Sequence, residues 1–214
     1  MANVAVYIDG YNVYYGLRNL WKERRRGCFY WLDYWKLGQC ILGPAPLATP
    51  GGDRLSVVKY FTAIVENNPG KARRHQTYID ALRGLGQVEV IEGYYQSQKP
   101  VCKKCGFRWD DGEEKQTDVA IGAHLVCDGL RDVYDKAILI TADSDQVPAI
   151  EMVRRETGKS IVIAYPPTRS NNQKLEAAVD GLTMSFNRWL AASQLDNPCV
   201  GTDGTEYQCP AEWL

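Results

Sequence analysis

The chain has 214 residues, of which 45% are hydrophobic and 24% are charged, and this balance is typical of one α/β domain with a sizeable core. Its formal net charge is −1, so a nucleic-acid partner would have to bind through a local basic patch or through metal ions. No apolar run of about 18 residues occurs, which excludes a membrane span, and the N-terminal sequence MANVAVYIDG lacks the basic segment of a signal peptide. We therefore expect a cytoplasmic protein.

Short apolar segments alternate along the chain with segments of helical periodicity. The predicted strands cover residues 3–8, 54–65, 87–95, 136–141 and 160–167. The predicted helices cover residues 11–21, 30–42, the second part of 67–86, 118–134, 145–158 and 172–186. This alternation predicts an α/β fold with a parallel sheet covered by helices on both faces. We expect residues 1–190 to form this domain, with a polar loop at about 96–117, and residues 191–214 to form a C-terminal tail.

Aspartates stand where predicted strands end or where the next helix begins. Asp9 ends the first strand, Asp143 and Asp145 follow the fourth, and Asp118 begins the helix after the polar loop. The carboxyl ends of parallel strands share one edge of the sheet, so we expect these four carboxylates to meet there. They would repel one another unless protons or cations neutralised them, and oxygen ligands suit Mg²⁺ or Mn²⁺. Each aspartate alone could instead cap a helix, an alternative that is strongest for Asp145.

Three segments of the chain together resemble the NYN domain, a branch of the PIN-like nuclease superfamily. They are YIDGYNVYY, EEKQTDVAIGAHLV and DKAILITADSDQVPAI, and the resemblance covers about residues 3–190. The resemblance implies a Rossmann-like, PIN-type α/β/α sandwich with a central, mainly parallel sheet. It also implies a metal-binding catalytic set and a polar neighbour at the matching motif positions, namely Asp9, Asp118, Asp143 and Asp145 with Asn12 beside them. Many relatives have Ser-Gly-Asp where this chain has Thr141-Ala142-Asp143, a departure that removes no ligand.

The function implied by the resemblance is that of a metal-dependent endoribonuclease. One or two Mg²⁺ or Mn²⁺ ions would orient the phosphodiester and activate a water for in-line attack, leaving a 5′-phosphate and a 3′-hydroxyl. Two alternatives stay open: a PIN-like fold that binds RNA or a protein with weak or no catalysis, and a DNA or flap nuclease. The intact acidic set favours an enzyme, because a module that only binds does not need it.

Basic residues near these motifs are candidates for contacts with RNA phosphates. Arg18, Lys22 and Arg25 follow the first motif, and Lys115 precedes Asp118. A solvated helix surface is the alternative interpretation of the first three. Trp21 and the tryptophans and tyrosines between residues 30 and 35 could stack on bases, but core packing or a homodimer interface explains them better.

The seven cysteines predict free thiols or metal ligands rather than a disulfide framework in a reducing compartment. Cys102 and Cys105 have the spacing of half a structural zinc site, which needs four ligands. Cys199 and Cys209 are candidate partners if the tail returns to the loop, and Cys28, Cys40 or a second subunit are alternatives. An ordered loop with two free thiols is the simpler interpretation.

Overall fold

The computed structural model describes residues 1–24, 29–42, 52–65, 68–109, 111–169, 171–179 and 183–214. Its helices are α1 (Gly10–Arg24), α2 (Tyr34–Leu42), α3 (Pro69–Leu85), α4 (Thr117–Leu130), α5 (Val147–Thr157) and α6 (Gln173–Ala178). Its strands are β1 (Ala2–Asp9), β2 (Asp53–Thr62), β3 (Glu89–Glu92), β4 (Tyr94–Gln98), β5 (Asp111–Lys115), β6 (Lys136–Ile140), β7 (Ser160–Tyr165), β8 (Thr183–Ser185), β9 (Cys199–Val200) and β10 (Glu206–Tyr207). Short 3₁₀ helices cover Ser144–Gln146, Asn187–Trp189 and Ala211–Trp213.

The central sheet of the described residues has six strands in the order β3-β2-β1-β6-β7-β8, and every neighbouring pair is parallel. The strand order reverses between β1 and β6. At such a reversal the connections leave in opposite directions, so a crevice opens outside the carboxyl ends of the two strands. In the register, Asp9 of β1 lies beside Phe61 of β2, and Ile8 lies beside Ile140 of β6.

Helices cover both faces of this sheet. Alternate residues of a strand face opposite sides, and β1 contributes Val4, Val6 and Ile8 to a core shared with α1, α2 and α3. Ala5 and Tyr7 of the same strand join a second core that includes residues of α4, α5 and α6. The predicted α/β/α sandwich with a parallel central sheet is therefore confirmed. None of the helices in the described ranges combines the length and the apolar character needed to cross a membrane.

The region predicted as one strand and a polar loop folds differently. The sheet strand ends at Glu92, and Tyr94 begins β4, which pairs antiparallel with β5 to form a separate hairpin. Gly93 makes this break: its N–H donates to the Thr62 carbonyl at 2.7 Å, and a Cβ at this position would lie 2.5 Å from the Thr117 hydroxyl. The prediction of an irregular segment at 96–117 was wrong at its two ends, which belong to the strands Tyr94–Gln98 and Asp111–Lys115. The polar alternation of an exposed hairpin carries little hydrophobic signal.

The predicted last helix, residues 172–186, is also shorter than expected. α6 ends at Ala178, and Thr183–Ser185 pair in parallel with the end of β7 as the sixth strand of the sheet. The outer edge of β7 offers unpaired backbone groups, and pairing satisfies them. Local periodicity cannot report that opportunity, because the edge is created by the tertiary fold. The helix predicted at 30–42 likewise begins only at Tyr34, after Asp33 accepts the Lys36 N–H at 2.9 Å.

The C-terminal residues pack on the sandwich. The Leu195 N–H donates to the Trp31 carbonyl at 2.9 Å, and the Thr202 N–H donates to the Gly84 carbonyl at 2.9 Å. Trp213 lies against the aromatic side of α3, where its ring is 6.1 Å from that of Tyr78. The tail therefore contributes to the layer of α1, α2 and α3 and covers one end of it.

Candidate active site at the carboxyl edge of the sheet

Asp9 is the most buried of the predicted catalytic residues, at 2% exposure, and it lies at the last position of β1. Its carboxylate accepts the Asn12 N–H at 2.9 Å, the Asn12 side-chain amide, and the Thr141 hydroxyl at 2.8 Å. Burial raises the pKa of Asp9, the bonds from Asn12 and Thr141 lower it, and the charge of Asp143 raises it again. Its hydrogen-bond donors among the described residues are all neutral, so these groups orient the carboxylate without neutralising it.

Asp143 and Asp145 are placed by the turn that follows β6. The Thr141 hydroxyl accepts the Asp143 N–H at 3.1 Å, which ties this turn to the carboxylate of Asp9. The side chain of Asp143 in turn accepts the Asp145 N–H at 2.9 Å and caps the 3₁₀ helix Ser144–Gln146. The helix cap at this turn is thus Asp143, whereas the sequence interpretation favoured Asp145 for that role.

Asp118 lies in the first turn of α4, where the charges of the other three aspartates act on its carboxylate. Burial, followed by the charges of Asp9, Asp143 and Asp145, raises its pKa to about 6. Gln146, which is buried, donates its side-chain N–H to the Asp118 carbonyl at 3.1 Å and so holds α4 against the turn after β6. Gln116 just before α4 has a φ of 75°, a left-handed conformation that costs a non-glycine residue energy and is frequent at functional sites.

These four aspartates, hereafter the acidic edge, are electrostatically coupled but do not form a closed coordination shell. No three His, Cys, Asp or Glu side chains in the described ranges stand together as a ready set of metal ligands. The donor set nevertheless fits a hard divalent cation. Its members are oxygen ligands, and Asp9 is almost fully buried. Burial, together with repulsion from the other three carboxylates, raises the pKa of Asp118.

A cleft of about 760 Å³ opens beside the acidic edge. Asn12, Asp143 and Ser144 line one part of it, while Arg169 and Lys174 bring positive charge to the other part. The Arg169 Nε atom is buried and has no hydrogen-bond partner among the described residues. Sequence reasoning missed both cations, because they lie near α6 and share no motif with the aspartates. Their only sequence signal was their position after β7, whose carboxyl end lies on the same edge.

The predicted RNA-binding residues occupy different places. Asn12 lies in the cleft as expected, whereas Arg18 lines a separate cavity on the other side of the first turns of α1. Lys22 is exposed near the end of α1, and Lys115 ends β5, three residues before Asp118. Arg25 lies outside the described residues. The structure thus brings only Asn12 of this group beside Asp143.

The tip of the β4–β5 hairpin presents aromatic rings that sequence reasoning did not single out. Phe107 and Trp109 are 65% and 41% exposed, and their rings stack at 6.3 Å with an angle of 15° between their planes. Exposed basic side chains flank them, namely Lys99, Lys103, Lys104 and Arg108. Interleaved aromatic and basic residues were the available signal, since this pattern is typical of surfaces that bind single-stranded nucleic acid.

The cysteines proposed as zinc ligands are not assembled into one group. Cys102 and Cys105 lie in the turn of the hairpin, and hydrogen bonds from the Cys105 and Lys104 backbones lower the pKa of Cys102. Cys199 and Cys209 are buried in the core beside the C-terminal segment. The four therefore do not form a set of metal ligands, and the zinc site stays a prediction that would need a rearranged tail or another subunit. Cys40 also lies outside such a group, and Cys28 is not among the described residues.

Comparisons with known proteins agree with the fold. The sequence model of the NYN domain matches residues 3–186. A Pseudomonas putida protein from strain S16, named 6-hydroxy-3-succinoylpyridine 3-monooxygenase HspA, is 31% identical over 237 aligned residues, which cover 94% of this chain and 72% of that protein. A solved structure of a Vibrio parahaemolyticus protein of unknown function is similar with a TM-score of 0.53 at 20% identity, covering 86% of this chain and 92% of the other. At that identity the structural likeness concerns the fold alone.

Proposed function

This chain belongs to the NYN domain family, whose members are generally nucleases, and we propose that it is a metal-dependent endoribonuclease. The observation that carries the proposal is the acidic edge at the reversal of strand order. A buried carboxylate whose donors in the described ranges are neutral, next to three further aspartates, is costly unless a cation accompanies it. Asp9, Asp118, Asp143 and Asp145 are the residues that would hold Mg²⁺ or Mn²⁺.

A bound divalent cation at this edge would supply Lewis acidity toward a phosphodiester and lower the pKa of a coordinated water. The residues of the chain have distinct supporting roles. Asn12 and Thr141 orient the Asp9 carboxylate, and Asp143 shapes the turn that carries Asp145. Gln146 holds the beginning of α4, so the position of Asp118 depends on it.

The distribution of charge outside the acidic edge supports RNA as the substrate. Arg169 and Lys174 line the same cleft as Asp143, so a phosphate of the strand would find positive charge there. At the hairpin tip, Phe107 and Trp109 offer ring faces for bases, surrounded by basic side chains. Such local patches are what a chain with a net charge of −1 needs to bind an anionic polymer.

The decisive experiment compares cleavage of labelled single-stranded RNA and DNA in Mg²⁺, Mn²⁺ and EDTA, with the wild-type chain and with Asp143→Asn. We expect RNA cleavage that requires a cation and falls at least about a hundredfold in Asp143→Asn. The matched control is Asp135→Asn, an exposed aspartate before β6 at the opposite end of the sheet, which should cleave normally. Cleavage that persists in EDTA or in Asp143→Asn would overturn the proposal, and RNA binding without cleavage would favour the binding module. DNA cleavage without RNA cleavage would favour the DNA or flap nuclease.

A second candidate function comes from the Pseudomonas putida relative, whose name describes an oxygenase acting on a hydroxylated pyridine with a succinoyl chain. The observation that favours it here is a cavity lined by tyrosines and basic residues on the other side of α1. Incubating the chain with 6-hydroxy-3-succinoylpyridine, oxygen and a reduced nicotinamide tests this activity directly. If the pyridine is consumed, and is still consumed by Asp143→Asn, the oxygenase function is supported. If the pyridine is unchanged, that function is excluded.

A further inference from the structure

A cavity of about 240 Å³ lies between α1 and α3, at the carboxyl end of β2. We name it the aromatic cavity, because its wall includes the rings of Tyr11, Tyr14, Tyr60, Tyr78, Tyr95 and Trp213. Tyr60 and Tyr78 belong to a packed set of rings, their centroids 6.1 Å apart with an edge-to-face angle of 73°. Both rings are buried, so this part of the wall is a packed aromatic surface.

Gly10 brings α1 close enough to β2 to close this cavity. A Cβ at position 10 would lie 2.6 Å from the Phe61 carbonyl oxygen and 2.7 Å from the Tyr60 ring. The C-terminal segment closes the cavity on another side through Trp213, and the hairpin contributes Tyr95 and Gly112. Elements distant in sequence thus converge on one enclosed, mainly aromatic space.

The charged residues of the aromatic cavity are all basic. Arg18, Lys71 and Arg74 line it, and no aspartate or glutamate does so among the residues that the structure describes. Arg74 contacts Glu212 at 2.7 Å, while Arg18 and Lys71 have no ion-pair partner in the described part of the chain. His75, also in the wall, contacts the Thr62 hydroxyl at 3.0 Å, and burial lowers its pKa to about 4, so it is neutral at pH 7.

From these features we propose that the aromatic cavity is a binding site for a planar aromatic ring that carries an anionic group. Flat rings pack on tyrosine faces, and the anion would meet Arg18 and Lys71. The volume lies just below the usual range for drug-sized ligands, about 300–1,000 Å³, and so fits a single ring with a short substituent. The neutral His75, which contacts the Thr62 hydroxyl, adds a polar group to the otherwise aromatic wall.

This site is separate from the acidic edge and does not depend on the proposed nuclease activity. The first turn of α1 divides the two, because Gly10 and Tyr11 line the aromatic cavity while Asn12 lines the cleft beside Asp143. Two kinds of ligand carry a planar ring with an anionic group: a nucleotide of an RNA strand and a free aromatic acid. One binding experiment distinguishes them.

Isothermal titration calorimetry of the full chain in EDTA tests the proposal with two probes, uridine 5′-monophosphate and nicotinate. Their uncharged counterparts, uridine and nicotinamide, measure the contribution of the anion. We expect saturable 1:1 binding of at least one anionic probe, about tenfold tighter than its uncharged counterpart. Binding of uridine 5′-monophosphate alone assigns the site to nucleotides, binding of nicotinate alone assigns it to free aromatic acids, and binding of both supports the shared chemistry.

Variants locate this binding in the aromatic cavity. Arg18→Gln and Lys71→Gln should each lower the affinity for the anionic probe about tenfold. Arg73 is an exposed residue of α3 outside the cavity wall, so Arg73→Gln should change this affinity less than about twofold. Val65→Trp should abolish binding by filling the space, and thermal melting confirms that each variant is folded. Asp143→Asn should bind normally even if it no longer cuts RNA. Absence of saturable binding, or equal affinity in Arg18→Gln, Lys71→Gln and the wild type, would overturn the proposal.

Discussion

At the amino edge of the sheet, the buried carboxylate of Asp53 contacts the Lys136 ammonium at 3.0 Å. At the carboxyl edge, the donors to the Asp9 carboxylate within the described part of the chain are the neutral groups of Asn12 and Thr141. Both aspartates lie at strand ends of the same parallel sheet, and both side chains are buried. The amino edge therefore carries its own counter-ion. The carboxyl edge instead collects further aspartates, and burial together with their charges raises the pKa of Asp118.

This contrast separates a carboxylate that stabilises the fold from one that is held ready for an external cation. A buried charge without a partner is expensive, and the fold could neutralise Asp9 with a lysine as it does Asp53. It supplies neutral hydrogen bonds instead, which fix the direction of the carboxylate while leaving its charge unbalanced. Substitutions at the two edges should therefore have opposite consequences for stability and for activity.

Asp9→Asn should have the largest effect on activity, because it removes charge at the centre of the acidic edge while keeping a side chain of the same shape. We expect cation-dependent RNA cleavage to fall about 10³-fold in single-turnover measurements. Asp53→Asn at the other edge is the matched control and should retain the cleavage rate of its folded fraction. Equal losses of activity in the two variants would abolish the distinction between the edges.

Lys136→Met should have the largest effect on stability, because it removes the cation that the buried Asp53 carboxylate contacts. The free energy of unfolding should fall by about 3 kcal/mol, measured by urea denaturation at pH 7. The cleavage rate per folded molecule should not change. A variant as stable as the wild type would mean that the amino edge does not depend on this pair.

The affinity for Mn²⁺ should fall as the pH is lowered, because protons compete with the cation for the carboxylates. The pKa of Asp118 is raised to about 6, so its carboxylate is mostly protonated at pH 5 and mostly ionised at pH 7. Calorimetric titration should show binding about tenfold weaker at pH 5 than at pH 7. Asp118→Asn should flatten this dependence, and an unchanged slope in that variant would assign the competing proton to another group.

Asp118→Asn should stabilise the fold when no divalent cation is present, by less than Lys136→Met destabilises it. The native pKa of Asp118 lies above the ordinary value of 3.8 for an aspartate, so ionisation opposes folding. This cost is fully present above about pH 6 and disappears as the pH falls below about 4. In EDTA at pH 7.5 the variant should therefore unfold with a free energy about 1 kcal/mol higher than the wild type, after allowance for solvent screening. A destabilised variant would show that Asp118 stabilises the fold.

Local patterns in the sequence predicted much of the fold, and they also singled out the four aspartates of the acidic edge. Apolar runs such as Lys136–Ile140 are buried central strands whose character does not depend on their neighbours. The aspartates could be grouped because a parallel sheet sends the carboxyl ends of its strands to one edge, whatever the details of packing. The burial of Asp9 and the raised pKa of Asp118 were not predictable, since they depend on distances between segments more than a hundred residues apart.

The features that the sequence did not predict share a physical cause. Thr183–Ser185 form a strand only because β7 leaves an open edge, and the β4–β5 hairpin forms although its sequence lacks an apolar alternation. Arg169 and Lys174 enter the cleft because β7 and α6 lie beside the turn that carries Asp143. None of these relations is encoded in a window of neighbouring residues.

The sequence by itself determined the alternation of strands and helices and the family to which the chain belongs, along with the four aspartates proposed to hold a cation. These features follow from periodicity and from short motifs, which are local properties of the chain. Only the tertiary structure decided that Asp53 pairs with a lysine while the described partners of Asp9 are neutral, and that tyrosines from separate elements enclose a basic cavity. Electrostatic pairing and cavity shape depend on distances through space, which the order of residues specifies only through the folded state.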